Sequence, residues 1–413
     1  MVDNLSADNH SANLRFAVYS HKLTQFMSDT TKPSTRINVV DCLRGFAVCG
    51  IIMIHFLEHM NFRTGVDPTA LDRAINSFVM FMGSSKMYAI FSLLFGFSCF
   101  IQHDNQMKRG NDFRGRFAWR MFLLFIWGLF DLVFYNGDIL CTYAFIGLFL
   151  IPFVKASNKA ILIAALVMFI QPIELFHIFG GMINPDLKPL NLGLGKLWGP
   201  LMAPCADGGF FDVAAANLKY GIQLNYAWAI EHGRFTQTLF LFLMGMYIGR
   251  RRLFLDEGNN LQFWTKVIVY AFVAGIIIYP LEQGLPGLIE SRTVSTSLRT
   301  LLSMWRNFCM TSFYVSALIL MYYKTDFKKW LNPLSYIGKM SLSDYLIQSL
   351  VGGFLFYNWG LGLWDDCGNS VSFLMSVVFL VCLYYFCKFW TTHHKRGPLE
   401  EIWSRLTFIG AKR

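Results

Sequence analysis

The sequence lacks several features that would have directed its reading elsewhere. Its nine cysteines form no CxxC pair, and the i, i+4 histidines His55 and His59 lack a metalloprotease glutamate or an obvious third metal ligand. The cysteines therefore read as small buried hydrophobes, and no metal is expected. Cys205 and Cys367 are the two that fall outside apolar spans, where a disulfide stays open. Residues 1 to 36 are polar and lack the short apolar core of a cleavable signal, so the first apolar span serves as the signal itself. Met27 offers an alternative start within that tail. No internal repeat is apparent, which counts against an inverted-repeat transporter, and no stretch resembles a separate soluble domain. The net charge is +10, yet the cations are scattered through short loops without a continuous basic face, so no nucleic-acid partner is expected.

What is present is apolar. Hydrophobic residues make up 54% of the chain, 41 residues are Phe, and several runs approach the roughly 20 residues a membrane-spanning helix needs. The fold expected is all-α: a polytopic membrane bundle with spans near 38 to 57, 74 to 101, 116 to 134, 139 to 154, 160 to 179, 235 to 249, 264 to 281, 300 to 322, 336 to 356 and 371 to 389. Ten spans put both termini on one side. That side carries Lys108, Arg109, Arg114, Arg116, Lys155, Lys159, Arg250, Arg251, Arg252, Lys324, Lys328, Lys329, Lys395 and Arg396, while Arg63, Arg73, Lys188, Lys196, Lys219, Arg292 and Arg299 face the other. The positive-inside rule then places both termini in the cytoplasm. The domains read as a polar tail at 1 to 36, a transmembrane domain at 37 to 392 and a cytoplasmic amphipathic segment at 393 to 413. Between spans, only 181 to 233 exceeds an ordinary loop, and it reads as an outer cap or an interfacial loop anchored by Trp198 and Trp228.

Ionisable groups inside such spans carry the functional reading, because an intramembrane charge costs several kcal/mol unless it finds a partner or water. Asp41, Arg44, His55 and His59 fall on one stripe of the first helix, with Arg44 and His55 roughly 16 Å apart along it. His55 and His59 are spaced i, i+4 around Glu58, as either bases for an alcohol or amine acceptor or simple interfacial histidines. Lys86 follows Ser84 and Ser85 in the second span and must pair, line a wet cavity or lose its proton. Asn136, Gly137 and Asp138 make a tight turn, with Tyr143 just inside the fourth span. Arg120 and Asp131 of the third span read as structural partners for other polar helices. Asp344, Tyr345 and Gln348 crowd the ninth span, with Asp344 and Gln348 on one face, either knitting helices together or facing a cavity opposite Arg44. Arg306 and Asn307 of the eighth span could join that interior.

Several of these residues sit in ordered motifs. Asp41-Cys42-Leu43-Arg44-Gly45, Ser85-Lys86-Met87-Tyr88 running on to Phe95-Gly96, Gly137-Asp138 with Tyr143, Gly245-Met246, Gly338-Lys339-Met340-Ser341-Leu342-Ser343-Asp344-Tyr345, and Gly397-Pro398-Leu399-Glu400 together resemble the DUF418 (YeiB-like) membrane family over about 36 to 408. The opening Asp-x-x-Arg-Gly motif is also similar to that of transmembrane acyltransferases such as heparan-alpha-glucosaminide N-acetyltransferase, which carry an acetyl group from acetyl-CoA to an amino sugar. His55 stands where the family usually has asparagine, and no histidine occupies the place of the acetyltransferase's proposed catalytic one. The resemblance implies a membrane acyltransferase of the bacterial cytoplasmic (inner) membrane, among membrane lipids. It would take acetyl-CoA as donor and a small-molecule or glycan acceptor, with no oligomeric state specified. In that reading His55, His59, Lys86 and Asp138 do the chemistry, while Asp41, Arg44, Tyr143, Asp344, Tyr345 and Gln348 bind substrate. The alternatives are a transporter or flippase using the same polar groups as a path, and a non-catalytic scaffold in which they only specify packing.

Overall fold

Two glycine pairs set the closest helix approaches in the molecule. A methyl group on Gly45 would meet the Leu334 carbonyl oxygen at 1.9 Å, and one on Gly338 would meet the Asp41 carbonyl oxygen at the same distance. Gly96 and Gly245 likewise touch the backbone carbonyls of Phe242 and Leu93. Within lipid, where burying apolar surface against a neighbouring helix gains little, such small-residue contacts supply dispersion that longer side chains would prevent. They define the centre of the bundle.

The structure is a computed structural model that describes residues 36–60 and 67–410, with backbone alone at 58–60. The polar tail, apart from Arg36, lies outside the described residues, as does the side chain of His59. Every described element is helical or a turn. Helix α1 is Asn38–Ile54, α2 Ala70–Gly83, α3 Lys86–Met107, α4 Arg114–Leu132, α5 Leu140–Leu148, α6 Asn158–Phe169, α7 Pro172–Ile183, α8 Leu194–Asp207, α9 Phe210–Ala216, α10 Ile222–Glu231, α11 Arg234–Arg250, α12 Asn260–Gly284, α13 Arg292–Lys324, α14 Lys328–Leu331, α15 Leu334–Gly338, α16 Ser341–Phe356, α17 Asn369–His393 and α18 Pro398–Thr407. The main packing pairs are α3 with α11, α12 with α13, and α1 with α15.

Among the described residues four helical stretches are long and apolar enough to cross a membrane: Asn38–Leu57, Ala70–Met107, Asn260–Leu288 and Asn369–His393. The pair α6 and α7, bent by 45°, makes a fifth if counted as one span. Of these, the α1 stretch is 61% buried, against 11% for α12 and 22% for α17, so α1 is an interior helix and the other two form apolar outer walls. The second expected span is broken where Ser85 takes a left-handed φ of 72° between α2 and α3. The fifth is broken by Gln171 at φ 57°, just before Pro172, whose ring cannot continue a helix. The fourth is a nine-residue helix continued by a 3₁₀ turn at Ile151–Val154.

The segment 181 to 233 is largely helical. Its α8 and α10 pack Leu194, Leu201, Leu224 and Ala227 against Trp198, Tyr220 and Trp228 in a small apolar cluster. Cys205 and Cys367 are both buried free thiols. At the other end of the chain α18 docks rather than floats. Glu400 accepts hydrogen bonds from the Leu342 and Ser343 amides (2.7 and 3.1 Å) and the Ser343 hydroxyl (2.6 Å), so it caps the start of α16 from outside. Arg120 stacks on Trp403 at 3.5 Å and donates to Thr407, so its partner helix is α18. Near this junction Arg114 and Lys155 clasp Asp112 and hold its carboxylate below the usual range.

Candidate functional site

Helix α1 carries a polar group at each end. At its start, Asp41 sits in the first turn, where a carboxylate favours the positive helix end. Arg44 lies one turn on and bonds Asp41 at 3.0 Å, the Gly338 carbonyl at 3.2 Å and the Ser98 hydroxyl at 3.2 Å. The Asp-x-x-Arg-Gly motif is therefore also a packing device: its arginine and its glycine both engage α15. Arg44 and Gln348 do not meet, because Gln348 is taken up at the opposite end of α1.

There the α-helical ladder gives way to a π-helical turn, His55–Met60, which widens the helix and re-aims its side chains. His55 Nδ1 lies 3.0 Å from the Gln348 amide nitrogen of α16. The His55 ring sits 5.0 Å from that of Tyr135 and 6.1 Å from that of Tyr345. Tyr345 in turn reaches the turn before α5, accepting from the Ile139 amide at 3.2 Å and donating to the Gly137 carbonyl at 3.4 Å. In that turn Asp138 accepts from the Leu140 and Cys141 amides, both at 2.8 Å, as the N-terminal cap of α5. Asp138 is thus held by backbone, one residue away from the Tyr345 hydroxyl. Half-buried His55, buried Gln348 and Tyr345, and the buried Asp138 turn form one group drawn from three separate stretches of chain.

Around it stand polar atoms that nothing described satisfies. Asp131 is fully buried, with the Ser349 hydroxyl near it but neither carboxylate oxygen in a well-formed hydrogen bond among the described residues. The side-chain atoms of Asn136 and Asn217 and the Gln348 oxygen are in the same state. Asp131 lies within electrostatic reach of Asp138 and Tyr345, and Asn136 immediately follows Tyr135. Buried polar groups without partners cost about 1–3 kcal/mol each, so a cluster of them marks a place built for water or a ligand. The sequence reading makes Asp131 a structural partner for another polar helix. It has no cation beside it among the described residues.

The remaining candidates lie elsewhere. Asp344 accepts a thiol bond from Cys387 at 3.2 Å, deep between α16 and α17. Tyr143 donates to the Tyr88 carbonyl at 3.1 Å inside a ring of Tyr88, Phe91, Phe95 and Phe242. Tyr88 also bonds Thr238, which ties this aromatic box to α11. Lys86 has Arg234, Arg306 and Glu282 within electrostatic reach and belongs with them to a second group. Arg234 and Glu282 were not singled out from sequence, and Trp228 was read only as a loop anchor. Arg234 and Trp228 flank an irregular Gly233 turn whose partners are distant in the chain, while Glu282 was legible as a lone acid near the end of an apolar run.

The comparisons with known proteins match both halves of this picture. Residues 36–184, which hold α1 to α7, match the heparan-alpha-glucosaminide N-acetyltransferase catalytic family. Residues 248–410 match the family described as protein of unknown function DUF418. Over most of its length the chain is similar to the uncharacterized protein YxaH of Bacillus subtilis, with 25% identity over 407 residues covering 92% of this chain and 96% of the relative. It is also 24% identical over 409 residues to the uncharacterized protein YeiB of Escherichia coli, covering 90% and 96%. The chain is thus similar over most of its length to YeiB-like proteins, with a DUF418 match in its C-terminal part and a match to the heparan-alpha-glucosaminide N-acetyltransferase catalytic family in its N-terminal part.

Proposed function

We propose that this protein is a membrane-embedded acyltransferase that moves an acyl group, acetyl from acetyl-CoA, to a hydroxyl or amine of an extracytoplasmic glycan or similar acceptor. The proposal includes a ten-span bundle with both termini in the cytoplasm of a bacterial inner membrane. Donor then enters at the Asp41 end of α1 and acceptor at the His55 end. One observation carries the reading: a half-buried histidine, in contact with an amide, stands among unsatisfied polar side chains at the far end of the helix that bears the acyltransferase-like motif.

In this reading His55 is the base. A Gln348 amide turned with its oxygen toward His55 would accept from an Nδ1–H and leave Nε2 with a lone pair, and the unsatisfied Gln348 oxygen is the atom that turn would use. Nε2 takes the acceptor's proton as the new bond to the acyl carbon forms. The C–S bond then breaks, and the proton passes to the departing thiolate. Asp131, Asn136 and Tyr345 hold the acceptor, while Asp138 keeps the turn beneath it rigid. At the other end Arg44 is 19% exposed even while bound to Asp41, and with Lys339 next to Gly338 it fits an anionic donor. His59, five residues beyond the acceptor end of α1, is a second candidate for the base.

The test uses full-length protein in proteoliposomes, supplied with radiolabelled acetyl-CoA inside and a cell-envelope glycan fraction outside. Label should appear in the glycan with the natural protein and fall by about 10²–10⁴-fold in His55→Ala. Full transfer by His55→Ala together with His59→Ala would remove the histidine base from the mechanism. Solute accumulation without any labelled product would favour transport instead.

A further inference from the structure

Lys86 is 2% exposed, and its ammonium has no hydrogen-bond acceptor among the described residues. Its nearest described contact is the face of Phe81, with the nitrogen 5.7 Å from the ring centroid. Two guanidinium groups, those of Arg306 and Arg234, and one carboxylate, Glu282, lie within electrostatic reach. Glu282 is already spent on Arg306, which grips both of its oxygens, one of them at 3.1 Å. Arg234 lies over Trp228 at 5.6 Å and donates to Gln237 at 2.9 Å and to the Ser85 hydroxyl.

The backbone adds to this charge. Ser85 is the N-cap of the 22-residue α3, and its side chain makes no capping bond, being turned to Arg234 instead. The amides of the first turn of α3 are therefore left without a side-chain acceptor, at the positive end of the helix dipole. A buried lysine without a hydrogen-bond acceptor among the described residues occupies the first position of that same turn. Hydrocarbon does not hold an isolated ammonium without cost, so the missing partner is an anion.

We propose that the α2–α3 turn, with Lys86 at its centre and Ser85, Arg234 and Arg306 around it, is a binding site for a phosphate or carboxylate group. The turn abuts α1 beside the candidate base: the Gly83 Cα faces the Ile54 side chain, and the Met87 side chain fills the space beside Gly50. Resting on the acyltransferase reading, the group bound there belongs to the acceptor, which then carries a negative charge alongside its hydroxyl or amine. An anionic lipid headgroup has the same chemistry and is the other source.

The test is binding rather than turnover, so it stands apart from whether transfer is found. Full-length protein in phosphatidylcholine nanodiscs is titrated with inorganic phosphate and with acetate, and melting temperature and dissociation constant are read. Phosphate should raise the melting temperature, and Lys86→Met should weaken its binding at least about tenfold, while Lys86→Arg retains it. Lys86→Met is near the lysine's length and removes a buried charge, so it should melt no lower than the natural protein without phosphate. A lysine acting only as structural glue would lower it. If exchange to phosphatidylglycerol gives the stabilisation and free phosphate adds nothing, the anion is a headgroup. If neither anion nor lipid stabilises the protein, or if Lys86→Met responds as the natural protein does, the site does not exist.

Discussion

Gly45→Ala is the sharpest test of how the motif helix is held. The added carbon would sit 1.9 Å from the Leu334 carbonyl oxygen and 2.8 Å from its carbon, with the Gly338 amide nitrogen at 3.1 Å. Real carbon-to-oxygen contacts of this kind stay beyond about 3 Å, so α1 and α15 must part by more than about 1 Å. That displacement is comparable to the slack in the 3.2 Å bond from Arg44 to the Gly338 carbonyl, which would be lost. Overpacking of this type costs about 1–3 kcal/mol, and losing a charge-assisted bond adds about 1.5–3 kcal/mol. A loss of about 3–5 kcal/mol is therefore expected. The clean control is Gly115→Ala in α4, where nothing lies within 4 Å of the added methyl; helix propensity alone should make that change neutral or stabilising by about 1 kcal/mol. Thermal unfolding of the three proteins in one detergent checks the ranking. Gly45→Ala melting with the natural protein, while Gly115→Ala does the same, would show that the two helices are not in backbone contact.

The other expectations are simpler to state. If Gln348 orients His55, Gln348→Leu should lower acyl transfer by at least about tenfold and shift its pH profile, whereas Gln348→Glu, which still accepts from Nδ1–H, should keep most of the rate; equal rates for all three would exclude the contact from the mechanism. Glu400→Ala removes three hydrogen bonds at the start of α16 and should cost about 2–4 kcal/mol and free α18, read as faster proteolysis of the C-terminal segment; an unchanged cleavage rate would contradict the cap. Because Arg114 and Lys155 hold the Asp112 carboxylate low, its contribution is complete above the ordinary carboxylate range and is lost as pH falls through its lowered value. Asp112→Asn should thus show a smaller fall in melting temperature than the natural protein on acidification below about pH 4, and an identical fall would place the clasp outside the stability of this fold.

Much of the candidate site was legible because buried charge in an apolar run is rare enough to stand out. Asp41, Arg44, His55 and Lys86 were visible in this way, and all of them are engaged or buried in the structure. Their pairings were not legible. Helical spacing put Arg44 and His55 on one stripe, but the π turn at His55 and the arrival of Gln348 depend on how α16 is seated against α1. Asp344 and Gln348 share a helical face, yet one meets Cys387 and the other His55. Asp131 was assigned to pairing because charge in a span usually finds a counter-charge, and no such partner stands beside it.

The amino-acid sequence by itself determined that this chain enters a membrane as helices and which residues would be costly to leave unpaired there. Those are local properties of composition, run length and the 3.6-residue period. It also carried the motifs, without saying that Gly45, Gly338 and Glu400 hold helices together while His55 and Lys86 stand beside unmet polar need. Only the tertiary structure decided that division, because a partner hundreds of residues away is chosen by which backbones can approach closely and which hydrogen bonds remain unfilled when they do.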